Sequence, residues 1–437
     1  MLPHQPTNIR YRILVLLFVN VVINYMDRAN ISVAGASLSK EFNLSPVQLG
    51  LIFSAFGWTY VAFQIPGGFL TDCLKPRLLY FIILITWSTV TLLQGFVNGF
   101  AMLFGLRLAT GTFEAPAYPT NNRVVTTWFP ENERAFAIAA YTSGQYIGLA
   151  TLTPLMATIQ FYFGWKGLFI IAGISGIAWS LAWYALYRDP TDHQSIRQEE
   201  LDHIKRGGGN IDRQVISRTT YLSNLKEVFS HRKLWGIYLG QYAINSSLWF
   251  FLTWFPIYLI KSRGLTLIET GWLASVPFVA AFAGILLSGF LSDYCIKKKI
   301  SVTAARKTPV IAGLLLTVFI IGANYVESTS LIILFMCIAF FGNGMASISW
   351  VLVSLIAPKG MIGVTGGAFN FIGNLASMSV PFIIGFLVRE NDFSSALIFI
   401  SSLGIAGIAS YIFLVGEIER VTIKKHEACS LSPPHLK

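Results

Sequence analysis

The chain has 437 residues, 54% of them hydrophobic and 12% charged, against about a quarter charged in soluble domains. That balance excludes a soluble fold and predicts an all-α integral membrane protein. The 32 Lys and Arg outnumber the 21 Asp and Glu for a formal charge of +11, yet the basic residues fall between apolar runs, which argues for membrane topology and against nucleic acid as a partner.

In chain order, apolar runs of helical length fall at about 12–38, 47–71, 78–98, 101–126, 135–160, 165–187, 234–260, 269–291, 307–326, 329–357, 361–388 and 394–416. Each is long enough to cross a hydrocarbon core of roughly 30 Å, so twelve transmembrane helices are expected. The first run carries Asp27 and Arg28 and continues at spanning length without a small-residue cleavage site, so it is expected to stay in the membrane. Arg10, Arg12, Lys75, Arg77, Arg134, the basic residues of 188–233, Lys297 to Lys299, Arg306, Lys307, Lys359, Arg420, Lys424 and Lys425 collect on one side. Lys40, Lys166, Lys261, Arg263 and Arg389 fall on the other, which predicts that both termini are cytoplasmic.

The long polar connection divides the chain into a six-helix bundle at 1–187, a cytoplasmic linker at 188–233 and a second six-helix bundle with a short tail at 234–437. Within the linker, Glu199 to Arg206 has the character of a short surface helix. Gly207-Gly208-Gly209 is not followed by Lys-Ser/Thr, which argues against a phosphate loop and an ATP-driven pump. An internal repeat supports the division: Gly68-Phe69-Leu70-Thr71-Asp72 recurs as Gly289-Phe290-Leu291-Ser292-Asp293 about half a chain later. Parallel six-helix repeats of this kind place a substrate site near the midplane between them.

Asp27 and Arg28 lie half-way along the first span, where each charge costs about 2.5–3.5 kcal/mol on insertion scales. Charges at that depth face a bundle interior or a water-filled cavity, and the alternatives are a functional site or a structural ion pair. Polar residues at helical spacing continue the pattern: Asn20, Asn24 and Asp27; Tyr60, Gln64 and Gly67; Arg107, Gly111 and Glu114; Tyr141, Gln145 and Gly148. The C-terminal half offers only neutral stripes: Gln241, Asn245 and Trp249; Asn343, Ser347 and Trp350; Asn370, Asn374 and Ser377. Such amides serve either as ligands or as glue between helices. Pro66-Gly67-Gly68 reads as a hinge or a tolerated kink, and Arg123 as an interfacial anchor.

Asp27 and Glu114 could be cast as an acid/base pair, but His4, His193, His203, His231, His426 and His435 lie outside the spans, and no enzyme activity is expected. Rings of repeated filter residues are lacking, which disfavours a channel. The four cysteines, Cys73, Cys295, Cys337 and Cys429, show no metal-like spacing, so no metal site and no cofactor are expected.

The Gly-x-x-x-Asp turn with Lys75 and Arg77, its copy ending at Asp293, and Arg107-Leu-Ala-Thr-Gly111-Thr-Phe-Glu114-Ala-Pro116 resemble the signatures of the major facilitator superfamily. Asn24 to Asn30, Phe53 to Trp58, Gln64 to Gly68, Pro119 to Arg123, Trp128 to Pro130 and Trp249 to Pro256 are similar to its anion:cation symporters, most of all to bacterial galactonate-type transporters. The first Gly-x-x-x-Asp loop departs from the pattern, with Cys73 in place of a basic residue and Lys75 in place of glycine.

The resemblance implies a major facilitator fold in the bacterial inner membrane, acting as a monomer. It implies a proton-coupled symporter whose partners are protons, the lipid bilayer and a small sugar-acid anion, D-galactonate first, with other aldonates, aldarates, hexuronates, uniport and anion exchange as alternatives. It assigns the carboxylate to Arg28, the sugar portion to Tyr60, Gln145, Ser347, Trp350 and Asn370, and proton coupling to Asp27 and Glu114. Tyr25 and Gln241 join the candidate substrate site from their stripes. Arg107 is expected to tune the site without clamping Glu114, about 10 Å and two turns away. Asp72 and Asp293, at helix ends, are expected to gate.

Overall fold

The computed structural model describes residues 8–193, 195–210, 226–358, 361–389 and 391–422. The Asp72 side chain, Lys359, part of the linker, and the tail with Lys424, Lys425, His426, Cys429 and His435 lie outside the described residues, as does His4. Among the described residues the regular structure is helical, with one isolated β-bridge between Arg389 and Asp392.

The helices in order are α1 (Ile9–Glu41), α2 (Pro46–Cys73), α3 (Pro76–Leu93), α4 (Phe100–Glu114), α5 (Ala117–Trp128), α6 (Glu131–Leu186) and α7 (Gln198–Arg206). After the linker come α8 (Arg232–Thr253), α9 (Leu267–Lys297), α10 (Val302–Val318), α11 (Thr329–Ala346), α12 (Ser349–Ile356), α13 (Ile362–Leu387) and α14 (Ser394–Ala409). Nine described helices are long and apolar enough to cross a membrane, or ten when α8 and the bent continuation Phe255–Ser262 count as one span.

Local sequence explains several boundaries. Ser45 and Gln48 form a capping box ahead of Pro46 at the start of α2, and Thr266 and Glu269 do the same for α9. The 56 residues of α6 would exceed twice the hydrocarbon thickness at about 1.5 Å per residue. Its path breaks at Gly164, which has φ 69° and ψ 175°, a conformation that a Cβ would strain. Conversely, α4 and α5 are each too short to span and meet at Ala115-Pro116. The Pro66-Gly67-Gly68 segment lies inside continuous α2. A Cβ on Gly67 would come within 3.0 Å of Pro116, so this glycine admits the α4–α5 junction instead of marking an interruption.

Contacts between the helices before and after the linker cluster away from α7. Lys261 Nζ donates to Ser39 Oγ at 3.0 Å, and Phe53 meets Trp254 edge-on at 5.4 Å. At Gly57 a Cβ would fall 2.5 Å from the Ser377 carbonyl carbon, and at Gly50 2.7 Å from Pro381 O. Backbones approach this closely only over glycine. This far end is therefore sealed by main chain against main chain.

At the opposite, linker end, α7 is tied to the first bundle. Glu131 N donates to Gly207 O at 2.8 Å and Asn210 N to Thr126 O at 2.9 Å. His203 Nε2 lies 3.0 Å from Glu133 Oε1.

Candidate substrate site

The depth of Asp27 and Arg28 along α1 requires partners inside the protein. Arg28 meets Glu114 of α4: Nε and Nη2 both lie 2.5 Å from Oε1, with side chains 3% and 0% exposed. Three rings surround the guanidinium, with centroids 4.9 Å (Tyr25), 5.0 Å (Phe56) and 4.9 Å (Tyr60) from Arg28 Cζ. Phe56 and Tyr60, one helical turn apart on α2, stack at 5.2 Å. Such cation–π contacts contribute about 0.5–2 kcal/mol each and hold the cation while leaving it free to exchange its anion.

Adjacent helix positions point about 100° apart, and Asp27 accordingly faces a different neighbour. Its Oδ2 accepts from Trp87 Nε1 at 3.0 Å, while Oδ1 has no hydrogen-bond partner among the described residues. Arg107 is fully buried, and its Cζ lies 5.3 Å from the centroid of the same Phe56 ring. Its three nitrogens make no hydrogen bond among the described residues. Two arginines and two carboxylates thus share one buried core, with one direct ion pair among them.

The C-terminal helices contribute neutral groups only: among their described residues no charged side chain is buried. Ser347 Oγ lies 3.5 Å from Tyr146 OH, across the two sets of helices. Gln145 is half-buried beside Tyr146. Gln241 donates to Asn245 Oδ1 at 3.2 Å and accepts from Ser349 Oγ at 3.1 Å. Asn374 Nδ2 donates to Asn370 Oδ1 at 2.9 Å. Trp350, 47% exposed, packs edge-on against Phe369 at 4.8 Å. Asn343 donates to Ile244 O at 2.6 Å, an interhelical tie. No hydrogen bond among the described residues joins Gln241, Trp350 or Asn370 to the Arg28 cluster.

The Major Facilitator Superfamily signature matches residues 17–381. The chain belongs to that superfamily. It is 49% identical over 422 residues to a D-galactonate transporter of Escherichia coli O6:H1, covering 95% of this chain and 98% of the relative. It is 41% identical over 437 residues to a probable galactarate/D-glucarate transporter of Bacillus subtilis strain 168, covering 97% and 95%. Among solved structures, a D-xylose-proton symporter superposes with a TM-score of 0.73 at 14% identity, over 93% of this chain and 98% of that one. A bacterial homologue of the lysosomal transporter Spinster gives 0.71 at 19% identity, over 94% and 96%. These two structures speak for the fold alone.

In this transporter the repeated turns are held by arginines of neighbouring helices. Arg306 Nη1 lies 3.0 Å from Asp293 Oδ1 and donates to Ser292 Oγ at 3.1 Å. Around the first copy, Arg123 Nη1 donates to Thr71 O and to Leu74 O, which closes the end of α2. Lys75, the departure in that loop, pairs with Asp192 of the linker at 2.9 Å and holds its carboxyl below the usual aspartate range. That pair is largely exposed, at 64% and 48%, and such pairs contribute at most about 1 kcal/mol.

Sequence patterns missed Phe56 and Trp87. Phe56 was legible as the residue one turn before Tyr60. Trp87, inside an apolar run, carried no signal of its own.

Proposed function

We propose that this protein is a proton-coupled symporter that imports a sugar acid, with D-galactonate as the substrate, across the inner membrane of a bacterial cell. The observation that carries the reading is the Arg28–Glu114 pair. The buried cation nearest the aromatic wall is occupied by a protonatable carboxylate, so a substrate carboxylate must displace Glu114 to reach it. Protonating Glu114 removes its charge and frees the guanidinium fork for the incoming anion. Binding of substrate and binding of a proton thereby support each other, as symport requires. The rings of Tyr25 and Tyr60 offer apolar faces to the carbon skeleton, and Gln145, Gln241, Ser347, Trp350 and Asn370 supply partners for its hydroxyls.

Both buried cations of the core, Arg28 and Arg107, lie in the N-terminal helices, and no charge is buried among the described C-terminal residues. This favours a monocarboxylate over an aldarate, whose two carboxylates stand at opposite ends of the molecule and need cations on both sides. The identity to a D-galactonate transporter points the same way. We assign the two bundles to 1–187 and 234–437, the linker face to the cytoplasm and the sealed end to the outside, in a monomer. Dividing α6 at Gly164 and joining α4 to α5 completes twelve spans. Asp293, and Asp72 in the first copy, act at the linker-face turns that move as the bundles rock.

The test is uptake into proteoliposomes under an inward proton gradient, with a panel of aldonates, aldarates and hexuronates. Accumulation of galactonate that collapses with a protonophore is the expected result. Accumulation that persists without a gradient rules out proton coupling, and preference for an aldarate rules out the monocarboxylate assignment.

A further inference from the structure

Two cations follow α8 at the sealed end, and they are used differently. Arg263 is committed to packing: its Nε donates to Tyr258 OH at 3.0 Å, its Nη2 donates to Ala323 O at 3.0 Å, and its guanidinium lies 5.3 Å from the Tyr258 ring centroid. Lys261 is half-buried in the seam between the two sets of helices, and it donates across that seam to Ser39 Oγ. Ser39 is buried and donates in turn to Leu44 O at 3.1 Å, so its oxygen presents a lone pair to the ammonium.

Among the described residues Lys261 forms no ion pair, although carboxylates stand at this end. Glu41 receives Trp165 Nε1 at 2.5 Å and lies 3.7 Å from Lys166. Glu269 is occupied by the cap of α9, accepting from Thr266 N at 2.9 Å and from Thr266 Oγ1 at 2.7 Å. A half-buried ammonium facing a neutral hydroxyl has given up hydration without gaining a counter-charge. It keeps two donors beyond the one Ser39 accepts.

We propose that Lys261 is the anion-recruiting residue of the outer face, the first cation to meet the substrate carboxylate when this seam parts. The inference rests on the proposed import of a sugar-acid monoanion. Opening the seam separates Lys261 from Ser39 and returns the ammonium to water at the mouth of the path toward Arg28. There a fixed positive charge raises the local concentration of an anion and speeds its encounter, an effect that salt screens. As the seam closes, the anion passes inward and Ser39 recovers the ammonium. Lys261 thus has a role on one side of the membrane only.

The experiment uses the full chain in proteoliposomes with sorted orientation, and radiolabelled galactonate offered separately from the outer and the linker face. Lys261→Gln is expected to raise the half-saturating concentration at the outer face about tenfold, the scale of one charge contact. The linker-face value and the maximal rate should stay within about twofold, and the outer-face defect should shrink as ionic strength rises. Lys261→Arg should restore outer-face behaviour, and Ser39→Ala, which removes the latch but keeps the charge, should leave it unchanged. An unchanged outer value in Lys261→Gln, an equal rise on both faces, or a matching defect in Ser39→Ala overturns the proposal. Failure of the unaltered protein to carry any sugar acid overturns the functional reading and this inference with it.

Discussion

Glu200 of the linker helix closes the amino end of α1 through Arg10. Its carboxylate accepts from the backbone N–H groups of Ile9 and Arg10 at 3.3 and 3.2 Å and from Arg10 Nη1 at 3.2 Å, while Arg10 Nε donates to Glu133 at 2.9 Å. The Asn8 side chain makes no cap hydrogen bond, so the helix that carries Asp27 and Arg28 takes its cap from the linker. A carboxylate at a helix amino end is favoured by the helix dipole as well as by the hydrogen bonds.

Glu200→Gln should therefore destabilise the detergent-solubilised protein by about 1–2 kcal/mol, because one charge-assisted acceptor is lost in a buried setting. A thermal-unfolding series with Arg10→Gln and the double variant checks it. Additive single effects would show that the two residues act independently.

Arg28→Lys keeps the charge but loses the planar fork and its ring contacts. Galactonate affinity should fall by about 2–5 kcal/mol, the cost of breaking a desolvated charge pair. Isothermal titration with Arg28→Lys and Arg28→Ala tests this, and near-normal binding in both removes Arg28 from the site.

Single alanine changes at Gln145, Trp350 and Asn370 should alter preference among galactonate, gluconate and glucarate more than they alter folding. Loss of one partner for a desolvated hydroxyl costs about 1–3 kcal/mol. Unchanged relative affinities in competition assays would assign all three to packing.

Asp27 and Glu114 are two buried carboxylates with different surroundings, one on Trp87 and one on Arg28. One proton each gives two protons per monoanion and net inward positive charge. An interior-negative potential, worth about 2.3 kcal/mol per charge per 100 mV, should then drive uptake. Solid-supported-membrane current on galactonate addition measures the charge directly. Glu114→Gln should retain exchange and lose uphill accumulation, and electroneutral uptake by the unaltered protein would exclude this stoichiometry.

Gly57→Val should hold open the seam at the end away from α7. Its Cβ would meet the Ser377 backbone, which cannot rotate away, and overpacking of this kind costs about 1–3 kcal/mol. Ser32 is buried on α1 between Arg28 and Ser39; a Ser32→Cys reporter should then react faster with an impermeant thiol reagent applied at that end, and an unchanged rate argues against steric sealing at Gly57.

The helical fold was legible because twenty-residue apolar runs leave few alternatives, and Asp27, Arg28, Arg107 and Glu114 stood out because charge is rare in such runs. The Arg28–Glu114 pairing was not legible. It joins residues 86 positions apart, and helical spacing gives a residue's face on its own helix without giving the facing helix. For the same reason the expectation of a short surface helix over Glu199 to Arg206 gave no sign that Glu200 is fully buried. The break at Gly164 falls between the expected spans 135–160 and 165–187, whereas the junction at Ala115-Pro116 lies inside the expected span 101–126 and carried no apolar or polar signal of its own.

The partners of the Asp27-Arg28 step also set an order of events during synthesis. The first span leaves the ribosome carrying two charges whose combined insertion cost is about 5–7 kcal/mol, and what offsets them comes later in the chain. Trp87 arrives with α3, Glu114 with α4. Until then the guanidinium has only ring faces to soften its charge, first its own Tyr25 and then Phe56 and Tyr60 once α2 follows. The stable residence of α1 in the lipid phase therefore waits for the fourth span. A chain truncated after α3 should be a substrate for membrane quality control, while one extended past Glu114 should not.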